Sequence, residues 1–418
     1  MKTPLNICLF KGITVIFPVI DFLNGLFLSV GLPIPIGALY RFMFLLFLVS
    51  QILSASLPKV GATYITVLFI IGNLMIFLLQ SIFLQNPLSW ISADLSVYMR
   101  YFLWVLIPYY IFQRRNEFQK IDYEQLFITI SFLFTIGLLI PYFLGLGNQT
   151  YGYSDVGYKG FFYANNGISF AFIISITFTA HKLLLALKKT WGRQLLFLTL
   201  LFFSNVFCLL LIGTKTGIIY GSLVFIYVFI RAIIEKNYPT ALHRIFIWLI
   251  STMAVLWLAL SGIQTVLRLI IGTYERIVYF YHLFNGDLVR LLTSSRSDFF
   301  EGGLYYFMTD PNIKFTYFFG QGFEYRLMNF GRLGLIEMDY LDAFFSLGLV
   351  GIVILLATVF YYIYIAFYKS FTLYSYVLVI TLGYSFFVGH VLFSALSSTL
   401  LGLVCGGIIL KWNELNKQ

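Results

Sequence analysis

The sequence predicts an all-α polytopic membrane protein of about twelve transmembrane helices with one long external loop. Three observations carry this. Of 418 residues, 60% are hydrophobic and only 11% charged, where a soluble domain carries about 25% charged residues. The mean hydropathy is +0.89. The apolar residues fall into runs close to the ~20 residues that cross the hydrocarbon of a bilayer.

Taken in order, the spans read as residues 6–30, 36–56, 60–84, 97–113, 125–147, 164–187, 195–213, 217–234, 244–263, 340–366, 372–389 and 391–410. The polar stretch Gln85 to Asp94 separates the third and fourth. Only Gly213-Thr-Lys215-Thr-Gly217 separates the seventh and eighth. The chain therefore divides into residues 1–263 with nine spans, 264–339 as the loop, and 340–418 with three spans and a tail. Among these 27 basic residues, placing the N-terminus in the cytoplasm puts sixteen inside and eleven outside. Seven of those eleven lie in the long loop, which counts little toward orientation, so both termini are expected in the cytoplasm. The formal charge of +10 then reflects topology rather than a nucleic-acid partner. Cys8, Cys208 and Cys405 lie in apolar runs and form neither a metal-ligand spacing nor a disulfide framework.

The loop is not a linker. Tyr279-Phe-Tyr281, Tyr305-Tyr-Phe307 and Tyr317-Phe-Phe319 make it apolar enough to pack at an interface, and short helices are expected there. Its aromatics either stack on sugar rings or form an interfacial belt, and for most of them the belt is the simpler account. The chain shows no internal repeat of the kind inverted-repeat transporters carry.

The candidate chemistry lies on the outer side. Lys215 sits in a turn with two glycines and the hydroxyls of Thr214 and Thr216, which suits a phosphate; an ordinary turn with a snorkelling lysine is the alternative. Arg296, in Thr293-Ser-Ser-Arg-Ser-Asp298, offers a fork matched to paired phosphate oxygens, against the alternative of an ion pair with Asp298 or Glu301. Arg100, Arg290 and Lys159 are weaker candidates of the same kind. Glu337, Asp339 and Asp342 fall within six residues at the entry to a span. An ionisable group at that depth marks function by default, although acids also favour helix starts for the dipole alone. A carboxylate here can act as general base toward a sugar hydroxyl. Glu337 with Asp339 also suits a divalent cation, a weaker reading because the basic residues on the same side could neutralise a leaving pyrophosphate without metal, and no cofactor is expected. Asp342 lies deepest and reads as orienting a basic partner or hydroxyl. Asp339 reads as a weakened base at a helix start. Glu337 is the favoured base and Asp339 its nearest rival; should neither serve, His282 and His390 on the outer side are next to test.

The chain resembles the O-antigen and capsular polysaccharide polymerase family, which is related to the O-antigen ligases. Four features carry the resemblance: Lys215-Thr-Gly217 in a short outer turn, where many relatives have arginine; Arg296 in a large external loop; Gly320-Gln-Gly322; and Glu337-Met-Asp339-Tyr-Leu-Asp342 running into Gly348-Leu-Val-Gly351. The ligases carry histidine where this chain has Glu337. The resemblance implies a GT-C-like fold in the bacterial cytoplasmic membrane. It implies a glycan on undecaprenyl pyrophosphate as donor and the non-reducing hydroxyl of a second lipid-linked repeat unit as acceptor. Membrane lipid and a chain-length regulator protein would be its partners. A base activates the hydroxyl, C1 is attacked, and lipid pyrophosphate leaves without metal. Two rivals share parts of this picture: a flippase or transporter of lipid-linked oligosaccharide, which requires charges at mid-span, and an O-antigen ligase.

Overall fold

The computed structural model describes residues 4–32, 34–151, 157–188, 192–234, 249, 271, 274–275, 277–369 and 371–416. The described helices are α1 (Leu5–Ser29), α2 (Ile36–Leu53), α3 (Gly61–Phe83), α4 (Leu88–Gln113), α5 (Arg115–Phe118), α6 (Glu124–Phe143), α7 (Asn165–Ala186), α8 (Arg193–Ile212), α9 (Lys215–Ile234), α10 (Leu288–Thr293), α11 (Arg296–Met308), α12 (Ile313–Phe319), α13 (Phe323–Phe330), α14 (Asp339–Phe367), α15 (Leu373–Phe387) and α16 (Ala395–Leu415). A two-stranded antiparallel ribbon, β1 (Asn148–Gln149) with β2 (Tyr158–Gly160), lies between α6 and α7. Among the described residues, ten helices are long and apolar enough to cross a membrane, and α15 is a shorter apolar helix. Eleven of the twelve expected spans thus coincide with helices. Of the ninth, 244–263, all residues but Leu249 lie outside the described residues. The protein is an all-α polytopic membrane protein.

Two boundaries differ from expectation. The fourth span begins at Leu88, nine residues early, because Asp94 is not a polar separator. It is buried within α4, where its Oδ1 accepts from the backbone N–H groups of Phe323 and Glu324, 3.2 and 2.8 Å away. Those are orphan donors at the start of α13. The last span begins at Ala395 rather than 391, because the connection from α15 turns through a left-handed Gly389 and His390 and is held by the hydrogen bonds described below.

The chain forms two compact units. One comprises residues Met1–Ile7, Gly37–Ile121 and Phe284–Gln418; the other comprises Cys8–Ile36 and Asp122–Leu283. In the second unit, a wholly uncharged polar knot joins α6, α7 and α8. Asn205 donates to Ser131 Oγ at 2.9 Å and to Thr179 Oγ1 at 3.2 Å, and accepts from Thr135 Oγ1 at 2.9 Å. Side-chain hydrogen bonds of this kind tie transmembrane helices together where apolar packing gives no preference.

In the first unit, Tyr98 and Tyr101–Phe112 of α4 are buried, as is most of α16. This explains why these helices are apolar on every side. α14 is broken at Gly348 (φ 69°, ψ −171°), a conformation open essentially to glycine. The break frees the carbonyls of Phe345 and Ser346. The Gly320-Gln-Gly322 turn fills them: Gln321 and Gly322 donate to these carbonyls, each at 3.0 Å, and Gln80 of α3 donates to Ser346 O at 2.7 Å. A Cβ on Gly320, which has φ 75°, would lie 2.3 Å from Ser346 backbone atoms. The Gly-x-Gly and Gly-x-x-Gly segments are therefore two halves of one backbone contact. Above it, the expected short loop helices are present. Phe307 of α11, Ile336 and Phe345 form a small buried core, with Phe300, Ile313 and Phe344 packed around it. This core fixes α11 and α12 onto the first turns of α14.

Candidate active site

Each of the three acids has a separate partner set. Asp342 is buried, and its Oδ1 accepts from Ile336 N at 2.9 Å and lies 3.4 Å from Nη1 of Arg326. Arg326, 1% exposed, also donates to Ser346 Oγ at 2.7 Å. Its guanidinium stands over the Phe345 ring, 5.2 Å from the centroid. Burial lowers the Arg326 pKa, against the opposing pull of Asp342. The basic side chain that Asp342 faces is a loop arginine that the sequence presented only as part of the outer charge count. Removing one member of a buried pair costs about 3–5 kcal/mol. Asp342→Ala is therefore expected to prevent accumulation of folded protein, and adding Arg326→Met should restore it, as read by size-exclusion profile in detergent.

Asp339 is also buried. Its Oδ2 accepts from Ser385 Oγ (2.7 Å), Val391 N (2.8 Å) and Leu392 N (3.1 Å). One carboxylate oxygen thus ties the start of α14 to the end of α15 and to the connection that follows it.

Glu337 is different. It lies in the turn before α14 with φ 63°, and its side chain is 39% exposed. Its Oε2 is 3.3 Å from Nη2 of Arg296 and 3.9 Å from Nε2 of His390. No described residue donates to Oε1. Arg296 opens α11 after Ser294 and Ser295, both left-handed (φ 54° and 66°), and is 9% exposed. Its Nη1 donates to Phe387 O at 3.3 Å, while its Nε is buried with no hydrogen-bond partner. His390 approaches from the α15–α16 connection, also left-handed at φ 59°. The preceding Gly389 packs so closely that a Cβ there would lie 2.2 Å from Glu337 O. His390, and to a lesser degree Arg296, hold the Glu337 carboxyl below the usual range, against burial acting the other way. Burial disfavours the charged imidazole of His390, but Glu337, Asp339 and Asp342 outweigh it and raise its pKa.

The structure brings Arg296 and Glu337 together, and adds His390. Asp298, the alternative partner for Arg296, pairs instead with Arg290 at 2.9 Å. Arg100 donates to Ser96 O at 2.9 Å on its own helix. Glu337 and Asp339, weighed together as a cation pair, spend their oxygens on different groups. Among the described residues no three His, Cys, Asp or Glu side chains are grouped as metal ligands. Lys159 and Lys215 belong to the second unit. Lys159 donates to Tyr163 O at 3.0 Å, and burial lowers its pKa. Lys215 opens α9. Thr214 accepts from Gly217 N at 3.2 Å and pairs with Ser169 at 2.6 Å, which makes it the N-cap of α9.

The family model for O-antigen ligase like membrane proteins matches residues 8–282. The chain belongs to this family. Membership makes it a membrane enzyme of O-antigen or polysaccharide assembly. The ligase-like match includes Lys159 and Lys215 and ends before Arg296 and the three acids, so their roles rest on geometry. No curated protein matches the chain.

Proposed function

We propose that this ligase-like family member is a polysaccharide polymerase. It transfers a growing glycan from undecaprenyl pyrophosphate to the non-reducing hydroxyl of a second lipid-linked repeat, on the outer face of the bacterial cytoplasmic membrane. The observation that carries this is the Glu337–Arg296 pair at the mouth of α14: a part-exposed carboxylate with one open oxygen, beside a buried guanidinium with an unspent N–H. Glu337 takes the proton of the acceptor hydroxyl as the new bond to C1 forms. Arg296 stabilises the charge gathering on the departing pyrophosphate. Asp339 and Asp342 are positioning residues.

The test is deletion of the gene followed by electrophoresis of the surface polysaccharide. A core bearing a single repeat unit supports a polymerase. A core with none supports a ligase or flippase and overturns the proposal.

The orientation follows from the charge bias. Lys314→Cys, at an exposed position on α12, is expected to react with an impermeant thiol reagent in cells whose inner membrane is intact. Labelling only after that membrane is opened would reverse the topology.

A further inference from the structure

Resting on the polymerase proposal, a second question is where the proton goes once Glu337 has taken it. Three features converge on His390. Its Nε2 stands 3.9 Å from the same Glu337 oxygen that Arg296 touches, just beyond hydrogen-bond range, as catalytic contacts often are before substrate binds. Its ring is 39% exposed, so it can pass a proton to water. Its backbone is held in a left-handed conformation by a dedicated clamp: Asp339 accepts from the two N–H groups that follow it and from Ser385. A buried carboxylate that binds the residues immediately after a strained histidine fixes where that ring points. Residues held this way cluster at functional sites.

We infer that His390 is the proton relay of the site, with Asp339 as its positioning residue. The acceptor O–H bond breaks as the O–C1 bond forms, and the C1–O bond to pyrophosphate breaks with its electron pair leaving on the pyrophosphate. The proton rests first on Glu337, passes to the neutral imidazole of His390 at Nε2, and then to water, which returns Glu337 to its ionised form. No co-reactant is required. The charged groups facing His390 are Glu337 from the preceding turn, Asp339 and Asp342 from α14, and Arg296 of α11 through Glu337.

Because the relay needs neutral imidazole at the start of each cycle, kcat rises with pH through one ionisation. The carboxylates around it place that ionisation above the ordinary imidazole value of 6.5. The experiment measures kcat against pH for purified protein acting on a synthetic undecaprenyl-pyrophosphate-linked repeat. Asn tolerates the left-handed backbone and cannot titrate, so His390→Asn is expected to fall by about 10² or more and to lose the rising limb. His390→Gly keeps the backbone unstrained, and added imidazole should restore part of its rate. Asp339→Asn should lower kcat while keeping a limb, shifted from the wild-type position. A His390→Asn protein that retains the wild-type limb overturns the inference whatever its rate, as does a His390→Gly protein that imidazole leaves unchanged. Failure of wild-type protein to polymerise at any pH would instead overturn the polymerase proposal.

Discussion

Glu337→Gln is expected to abolish long-chain product while the protein remains folded in the membrane. The amide keeps the shape of the side chain and removes its basicity, and loss of a general base costs about 10²–10⁴ in rate. Glu337 is part-exposed, and the amide oxygen that replaces its carboxylate can still accept from the buried Arg296 guanidinium, so accumulation and detergent behaviour should stay close to wild type. The rate is measured as repeats added per minute by purified protein. Near wild-type chain growth in Glu337→Gln, with loss in Asp339→Asn, would move the base to Asp339. Activity in both amides would move it to a residue outside this acid segment.

The Glu337–His390 contact also gives a stability signature. Glu337 has a lowered pKa, so its contribution is present above its ordinary value of 4.5 and is lost as pH falls through the folded value. His390 has a raised pKa, so its contribution is present below its ordinary 6.5 and is lost as pH rises through the folded value. The pair therefore contributes in full between those two ordinary values and weakens on either side.

Arg296→Ala is expected to lower the rate by about 10²–10³, the usual cost of one transition-state donor. Arg296→Lys should recover only part of it, because an ammonium restores charge but cannot reproduce the two-pronged fork. The loss should appear in kcat more than in KM, since the charge that Arg296 meets grows as pyrophosphate departs. Normal polymer from Arg296→Ala at normal expression would remove this residue from the site.

The spans were legible because a bilayer imposes a length and composition that few other structures share. Asp94 shows where that legibility ends. A carboxylate between apolar runs looks like a separator, and only the position of Phe323 and Glu324, more than two hundred residues later, makes it a helix cap. The acids show the same limit. Glu337, Asp339 and Asp342 are equivalent in sequence, yet their partners come from Arg296, from Ser385 with residues 391–392, and from Arg326 respectively. Spacing along the chain puts Asp339 and Asp342 on one helix face but says nothing of what covers it. Arg326 carried no signal beyond its charge, and His390 none beyond its outer position. The two glycine motifs could be seen, but that they grip each other could not.

The most direct test is stoichiometric. Purified protein in lipid nanodiscs is supplied with a synthetic undecaprenyl-pyrophosphate-linked repeat, and released undecaprenyl pyrophosphate is counted against new glycosidic bonds. The account predicts one lipid pyrophosphate released per bond formed by the wild type, and neither product from Glu337→Gln. Movement of the intact lipid-linked repeat across a sealed vesicle with no bond formed and no pyrophosphate released would contradict it.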